Sequence, residues 1–243
     1  MILIPILSGG PYKSHSRRNS KVKVSIIVFE INEIDGMRAM MPQIKREWYD
    51  ELLIVDGGST DGTIEYAKEH GYDLFVQEQK GVGAALNEAV RKVSGDLVII
   101  YAPDGSFETD KIPIMIEKIR AGYDIVNVTR YGYGAKSVDD NIFTSAGNRV
   151  FTTMANLFFG RQFHFTDFLY TYLAFRRDVI QKLALDTNLM TWGQVLLLRG
   201  VKRGLKIVEI PGNEPRRIGG AVKVPKLRAA RQLFTTIVRE RFH

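Results

Sequence analysis

The sequence predicts an α/β protein with a mostly parallel central sheet flanked by helices, and three observations carry that expectation. Short β-branched apolar runs recur between residues 22 and 128, segments with helical apolar spacing separate them, and glycine- and aspartate-rich turns mark the changes from strand to helix. Strands alternating with helices in this way form βαβ units, whose strands lie parallel beneath covering helices. A chain of 243 residues, 45% apolar and 25% charged, can bury such a sheet in one domain.

The elements follow in order. Val22 to Phe29 reads as a strand, with a helix from about Asp35; Glu51 to Val55 is a strand, with a helix from Asp61. Asp73 to Val76, Asp96 to Tyr101 and Asp124 to Val128 are further strands, separated by helices over Ala84 to Val93 and Lys111 to Arg120. The second half is less regular. Ile142, Phe143, Ala146, Val150, Met154, Leu157 and Phe158 recur at helical spacing, Phe168 to Phe175 reads as a strand, Met190 to Arg199 as a helix and Lys206 to Ile210 as a last short strand. Pro211 to Gly220 is a loop by composition. The expected organisation is a leader over residues 1–21, rich in turn-formers and charge, a domain over 22–224 and a C-terminal basic amphipathic helix over 225–243.

Composition narrows the chemistry. The absence of cysteine removes disulfides, thiolate nucleophiles and cysteine-held zinc. The apolar opening Met1 to Leu7 lacks the positive flank and length of a secretory signal, and no stretch approaches the ~20 apolar residues of a membrane span. A cytoplasmic protein that meets membranes only at their surface is expected. Net charge is +7, and the excess lies at the ends: residues 1–23 hold five Lys or Arg and no acid, while residues 199–243 hold twelve against Glu209, Glu214 and Glu240. Such asymmetry suits a polyanionic surface. Nucleic acid is not the expected partner, because aromatic residues rarely interleave the basic segments and no recognition motif is present.

Three stretches point to a site. Val55-Asp-Gly-Gly-Ser-Thr-Asp-Gly-Thr63 follows a strand and leads into a helix, which puts Asp56 at a strand's carboxyl end, where open α/β sheets bind ligands. Asp56 there is either a ligand group or part of a turn whose Ser59 or Asp61 caps the helix. Gly81-Val-Gly83 begins like a dinucleotide fingerprint but has Leu86 at its third glycine; Gly81 is expected to shape a tight turn near a ligand phosphate. Finally, Asp104 stands just past the apolar run Leu97 to Tyr101, at the exposed end of a buried strand.

These stretches, read together, resemble family 2 glycosyltransferases of GT-A fold. The resemblance is carried by Val24-Ser-Ile-Ile-Val-Phe-Glu-Ile-Asn-Glu33, the 55–63 turn, Lys80 to Ala89, and Ser94 to Gly105. Gly122 to Tyr131, Gly147 to Phe151, Thr166-Asp167 with Ala174 to Arg177, and Arg217 to Lys223 are similar to the polyprenyl-phosphate (dolichyl-phosphate) mannose synthase branch. The likeness spans about residues 22 to 235.

The resemblance implies a nucleotide-diphosphate sugar (GDP- or UDP-linked) as donor and inverting in-line displacement at its anomeric carbon. Asp104 falls on the second Asp of the family's Asp-x-Asp metal motif, whose first position is Ala102 here; Asp104 and Ser106 are the implied ligands of a divalent cation, Mg²⁺ or Mn²⁺. Phe29, Glu30 and Glu33 fall where the family holds the nucleotide base, and Asp56 is expected to bond base or ribose. Arg217 and Lys223 are expected to close over the diphosphate. Asp167 is the candidate for a base or for orienting the acceptor; His164, between Phe163 and Phe165, is expected to be packed. The acceptor implied is a polyprenyl phosphate or another membrane-associated glycan acceptor. Residues 225–240 fit this: Leu227, Ala230, Leu233, Phe234, Ile237 and Val238 share one helical face and Arg228, Arg231 and Arg239 another, as in an interfacial helix on anionic lipid or a helix packed on the core with a solvated basic side. The alternatives are transfer to a hydroxyl in polysaccharide or glycolipid synthesis, or non-catalytic binding of a nucleotide sugar.

Overall fold

A computed structural model describes residues 22–139, 142–185, 188–219 and 226–242. Two expectations, the 1–21 leader and the clamp residue Lys223, lie outside them. Seven strands form one sheet in the order β3-β2-β1-β4-β6-β5-β7: β1 Val24–Glu30, β2 Glu51–Asp56, β3 Asp73–Val76, β4 Leu97–Tyr101, β5 Ile125–Thr129, β6 Leu173–Arg176 and β7 Ile207–Pro211. All pair in parallel except β6, which runs antiparallel to β4 and β5. Strands buried on both faces need apolar residues at every position, which is why β4 reads Leu-Val-Ile-Ile-Tyr without alternation.

Helices cover both faces. On one side lie α1 Ile34–Met40, α2 Thr63–Glu69 and α4 Lys111–Arg120, whose Met37, Tyr66 and Ile112 join Ile26, Ile54 and Ile99 of the sheet in one core. On the other lie α3 Val82–Lys92, α5 Ile142–Phe159, the short α6 Asp178–Lys182, α7 Trp192–Lys202 and α8 Lys226–Phe242. There Leu86, Phe159, Leu196 and Ile237 pack with Ile27, Ile100 and Phe175 in a second core.

Two expectations change. The strand expected over Phe168 to Phe175 is confined to Leu173–Arg176, because Asp167 Oδ1 takes the N–H groups of Leu169 and Tyr170, both at 3.2 Å, that a ladder would use. The helix expected over Met190 to Arg199 runs Trp192–Lys202 instead. At α1, a Cβ on Gly36 would lie 2.4 Å from the Pro103 carbonyl oxygen. Only glycine lets this helix approach the turn after β4, and that approach sets the depth of the site.

Candidate active site

The carboxyl ends of β1, β2 and β4 carry three turns, and their side chains converge. After β1, Asn32 adopts a left-handed conformation (φ 51°) and its side chain accepts from the Thr60 N–H at 2.8 Å. The Asn32 N–H donates to Ser59 Oγ at 2.7 Å, Glu33 N–H to Thr63 Oγ1 at 3.1 Å, and Ile34 N–H to Asp61 Oδ2 at 3.1 Å. The turns after β1 and β2 are thereby fastened into one rigid floor. Phe29 is half-buried against the α3 side of the sheet.

Glu30 and Asp56 are register partners on adjacent strands, and both are buried. Asp56 Oδ1 accepts from the Gly58 and Ser59 N–H groups at 2.6 and 2.7 Å. Glu30 Oε1 and Asp56 Oδ2 have no other hydrogen-bond partner, so the two carboxyls share a proton. Burial, and then the adjoining Asp56, push Glu30 up to about 10. Burial alone would raise Asp56 too, but bonds from Glu30, Ser59 and Gly58 hold it below the usual range. The proton therefore sits on Glu30.

The turn after β4 holds Asp104, which is nearly buried. Its Oδ1 accepts from Ser106 N–H at 2.9 Å and Ser106 Oγ at 2.6 Å. Its Oδ2 is ion-paired with Arg217 Nη1, which also lies 4.0 Å from Glu33 Oε1. The Ile218 N–H donates to the Asp104 carbonyl at 2.7 Å. Gly105 has φ +84°, and a Cβ there would meet Ile218 Cγ1 at 2.7 Å, so the 217–219 segment lies directly on the turn.

Asp104, Glu33, Ser106 and Arg217 are brought together as expected, with Asp56 and Glu30 beside them. Gly81 is not. It caps α3 with φ +116°, but a Cβ on Gly83 would strike the backbone of Asn188 and Leu189 at 2.4–2.5 Å. Asn188 and Leu189 thus press on the first turn of α3 at Gly83, while Gly81 itself remains exposed. Asp167 also differs from expectation: it is fully buried, with Arg130 Nε at 2.7 Å from Oδ2 and Arg130 Nη2 at 3.2 Å from Oδ1. Asn148 Nδ2 donates to Oδ1 at 2.8 Å. Every lone pair a base would use is engaged. His164 lies 3.5 Å from Asn156 through Nδ1, on the wall of a groove of about 1390 Å³ along α5.

Sequence reasoning missed Arg130 and Glu214, which pair at 2.8 Å; Arg130 thus bridges two carboxylates. Glu209 was missed as well. It accepts from Thr166 N–H and Oγ1 at 2.9 and 2.7 Å, and burial pushes its carboxyl up. The available signal was an isolated acid inside a short apolar strand.

The residues present do not fit a divalent cation held by the protein. Such an ion is ordinarily held by one or two open carboxylates, with substrate phosphates and waters completing its shell. Ala102 supplies none, Asp104 has both oxygens engaged, and the described residues contain no group of three His, Asp or Glu able to hold a metal.

A parallel sheet with one reversed strand, bearing a rigid turn floor and an acidic turn beneath a basic loop, defines the GT-A-like nucleotide-sugar transferase class. Residues 25–184 match the family model described as glycosyl transferase family 2, and the chain belongs to that family. It is a glycosyltransferase. Among its relatives, glycosyltransferase AglJ of Haloferax volcanii is 27% identical over 218 residues, 89% of this chain and 71% of that protein. The dolichyl-phosphate hexose transferase of the same organism is 27% identical over 77% of this chain and 81% of its own. The fold is similar to glucosyl-3-phosphoglycerate synthase from Mycobacterium tuberculosis, solved with Mn²⁺, UDP and glucosyl-3-phosphoglycerate (TM-score 0.72, 19% identity, 90% of this chain and 80% of that one).

Proposed function

We propose that this glycosyltransferase moves a sugar, with inversion, from a GDP- or UDP-linked donor to a polyprenyl phosphate at a membrane surface. The observation that carries the reading is the Asp104–Arg217 pair, with Glu33 of the first turn 4.0 Å from the same guanidinium nitrogen. The floor receives the nucleotide, with Phe29, Glu30, Glu33 and Asp56 around the base, and Arg217 faces the diphosphate. The leaving diphosphate gains charge as the sugar departs, and a guanidinium fixed beside it stabilises that charge.

The acceptor class follows from which groups remain open. A hydroxyl acceptor needs a positioned base, and Asp167, the expected base, spends both oxygens on Arg130 and Asn148. A lipid phosphate is already anionic and needs positive charge instead. Arg149, Arg161 and His164 line the groove together with Ile142, Val150 and Leu157, a combination suited to an anionic head on an apolar tail.

Membrane contact has support from two helices. Ile142, Phe143, Val150 and Leu157 of α5 are 63–82% exposed, and Leu227, Phe234 and Phe242 of α8 are 53–85% exposed. The face of α8 carrying Leu233 and Ile237 is buried in the core, which leaves Leu227, Phe234 and Phe242 as its outward apolar residues. No helix among the described residues is long and apolar enough to cross a membrane.

Incubation of the full chain with GDP- and UDP-hexoses and polyprenyl phosphate in anionic vesicles is expected to yield one lipid-linked sugar phosphate, read by mass spectrometry. Turnover only with a hydroxyl acceptor, or of no donor, would reject the reading. Sedimentation with those vesicles should be lost when Phe143 and Leu157 are replaced by Ser, and equal binding by the full chain and a truncation at residue 224 would remove α8 from the membrane role.

A further inference from the structure

We propose that Arg217 is this enzyme's resident cation at the donor diphosphate, fixed by Asp104 on the turn after β4, so that donor binding needs no divalent cation. The inference rests on the nucleotide-sugar reading above and deepens it. Three observations carry it.

Asp104 is not an open ligand. Ser106 donates twice to Oδ1, and Arg217 pairs with Oδ2. Any ion reaching Asp104 must displace a guanidinium that has already compensated its charge, and Ala102 removes the second carboxylate that would repay this displacement.

Arg217 is also held where it stands. Ile218 N–H bonds the Asp104 carbonyl at 2.7 Å and its side chain lies on Gly105. Upstream in the same loop, Asn213 N–H donates to Glu108 Oε2 at 2.8 Å, and Glu214 accepts from Arg130 at 2.8 Å and from the Ser137 hydroxyl. The guanidinium thus arrives already ordered, as a bound ion would be.

Its position suits an anion. Nη1 faces Asp104 and Glu33, whereas Nε is buried with no hydrogen-bond partner. A buried charged donor without an acceptor is costly and uncommon, and a phosphate oxygen would satisfy it with a charge-assisted bond. Lysine could not replace it, because one ammonium cannot hold Asp104 and a phosphate in the same fork geometry.

The test is calorimetric titration of the full chain with GDP and with UDP, in EDTA and in MnCl₂. The nucleotide that binds is expected to do so within about twofold under both conditions, and Arg217→Ala to weaken it by about tenfold or more in EDTA. Arg217→Lys should recover only part of that loss. Binding that collapses in EDTA while persisting in Mn²⁺ would overturn the inference and leave the transferase reading intact. Failure of both nucleotides to bind under either condition would overturn the donor reading, and the inference with it. The comparison of EDTA with Mn²⁺ uses the unaltered chain, so it decides even if Arg217→Ala folds poorly.

Discussion

Among the described residues, two arginines pair with buried aspartates, and the two pairs are built for different ends. Asp167 and Arg130 are both nearly inaccessible; the guanidinium forks onto Asp167, bonds Glu214 and lies over the Tyr170 ring at 4.7 Å. Asp104 holds Arg217 through one nitrogen, the arginine side chain keeps 27% of its exposure, and its Nε is unsatisfied. A saturated pair is a structural joint, because no donor remains for a ligand. An unsaturated pair at the edge of the cleft is a site waiting for its third member. Residue type does not separate the two; the count of spent donors and lone pairs does.

The largest expected effect breaks the first pair. Arg130→Ala leaves Asp167 and Glu214 buried without their shared cation, and such a change costs about 3–5 kcal/mol. Urea unfolding monitored by circular dichroism measures it. Arg217→Ala is expected to cost no more than about 1 kcal/mol in the same assay, since its pair is partly solvated. Equal losses in the two variants would dissolve the distinction between joint and site.

A smaller effect sharpens the comparison through the third carboxylate cluster, Glu30 with Asp56, which lacks an arginine and uses a proton instead. Burial and Asp56 raise Glu30 from its ordinary 4.5 to about 10. The folded chain therefore binds a proton that the unfolded chain releases, so this contribution to stability is full below about 4.5, falls as pH rises and is gone above about 10. Within that window the slope from this one group is about −1.4 kcal/mol per pH unit. Glu30→Gln keeps a donor toward Asp56 and cannot titrate, so unfolding free energies measured between pH 6 and 9 should lose that slope. A slope retained in the variant would mean that Glu30 does not hold the proton.

How much of this was legible in the sequence differs between fold and site. The β1 to β5 half was readable because its strands are short apolar runs, two of them, β2 and β4, leading into aspartate–glycine turns, and register then brings Glu30 against Asp56. Asp104, Glu33 and Arg217 were each singled out through the family likeness, but the ion pair that joins Arg217 to Asp104 was not readable from motif order. The Arg130–Glu214 pair was not readable: its members stand 84 positions apart, and each looks like an ordinary surface charge. The strand expected over Phe168 to Phe175 failed for a related reason. Its apolar pattern is genuine, since Phe168, Tyr170 and Tyr172 are buried, but a carboxylate captures the backbone donors that would have extended the ladder.

The smallest expected effect asks whether joint and site are mechanically linked. Tyr170 is the contact between them: its ring lies beneath Arg130, and its hydroxyl donates to the Ser106 carbonyl at 2.7 Å, in the turn that presents Asp104. Tyr170→Phe keeps the ring and removes that one bond, leaving a buried carbonyl without its donor, a loss of about 1 kcal/mol. If the Asp104 turn is held chiefly by Ser106 and the Arg217 loop, nucleotide affinity should change by less than about twofold, and the losses from Tyr170→Phe and Arg217→Ala should add. A coupling well above about 0.5 kcal/mol in that double-mutant cycle would show that the buried joint sets the posture of the donor site. The two pairs would then be one device, in which the saturated arginine aims the carboxylate that aims the unsaturated one.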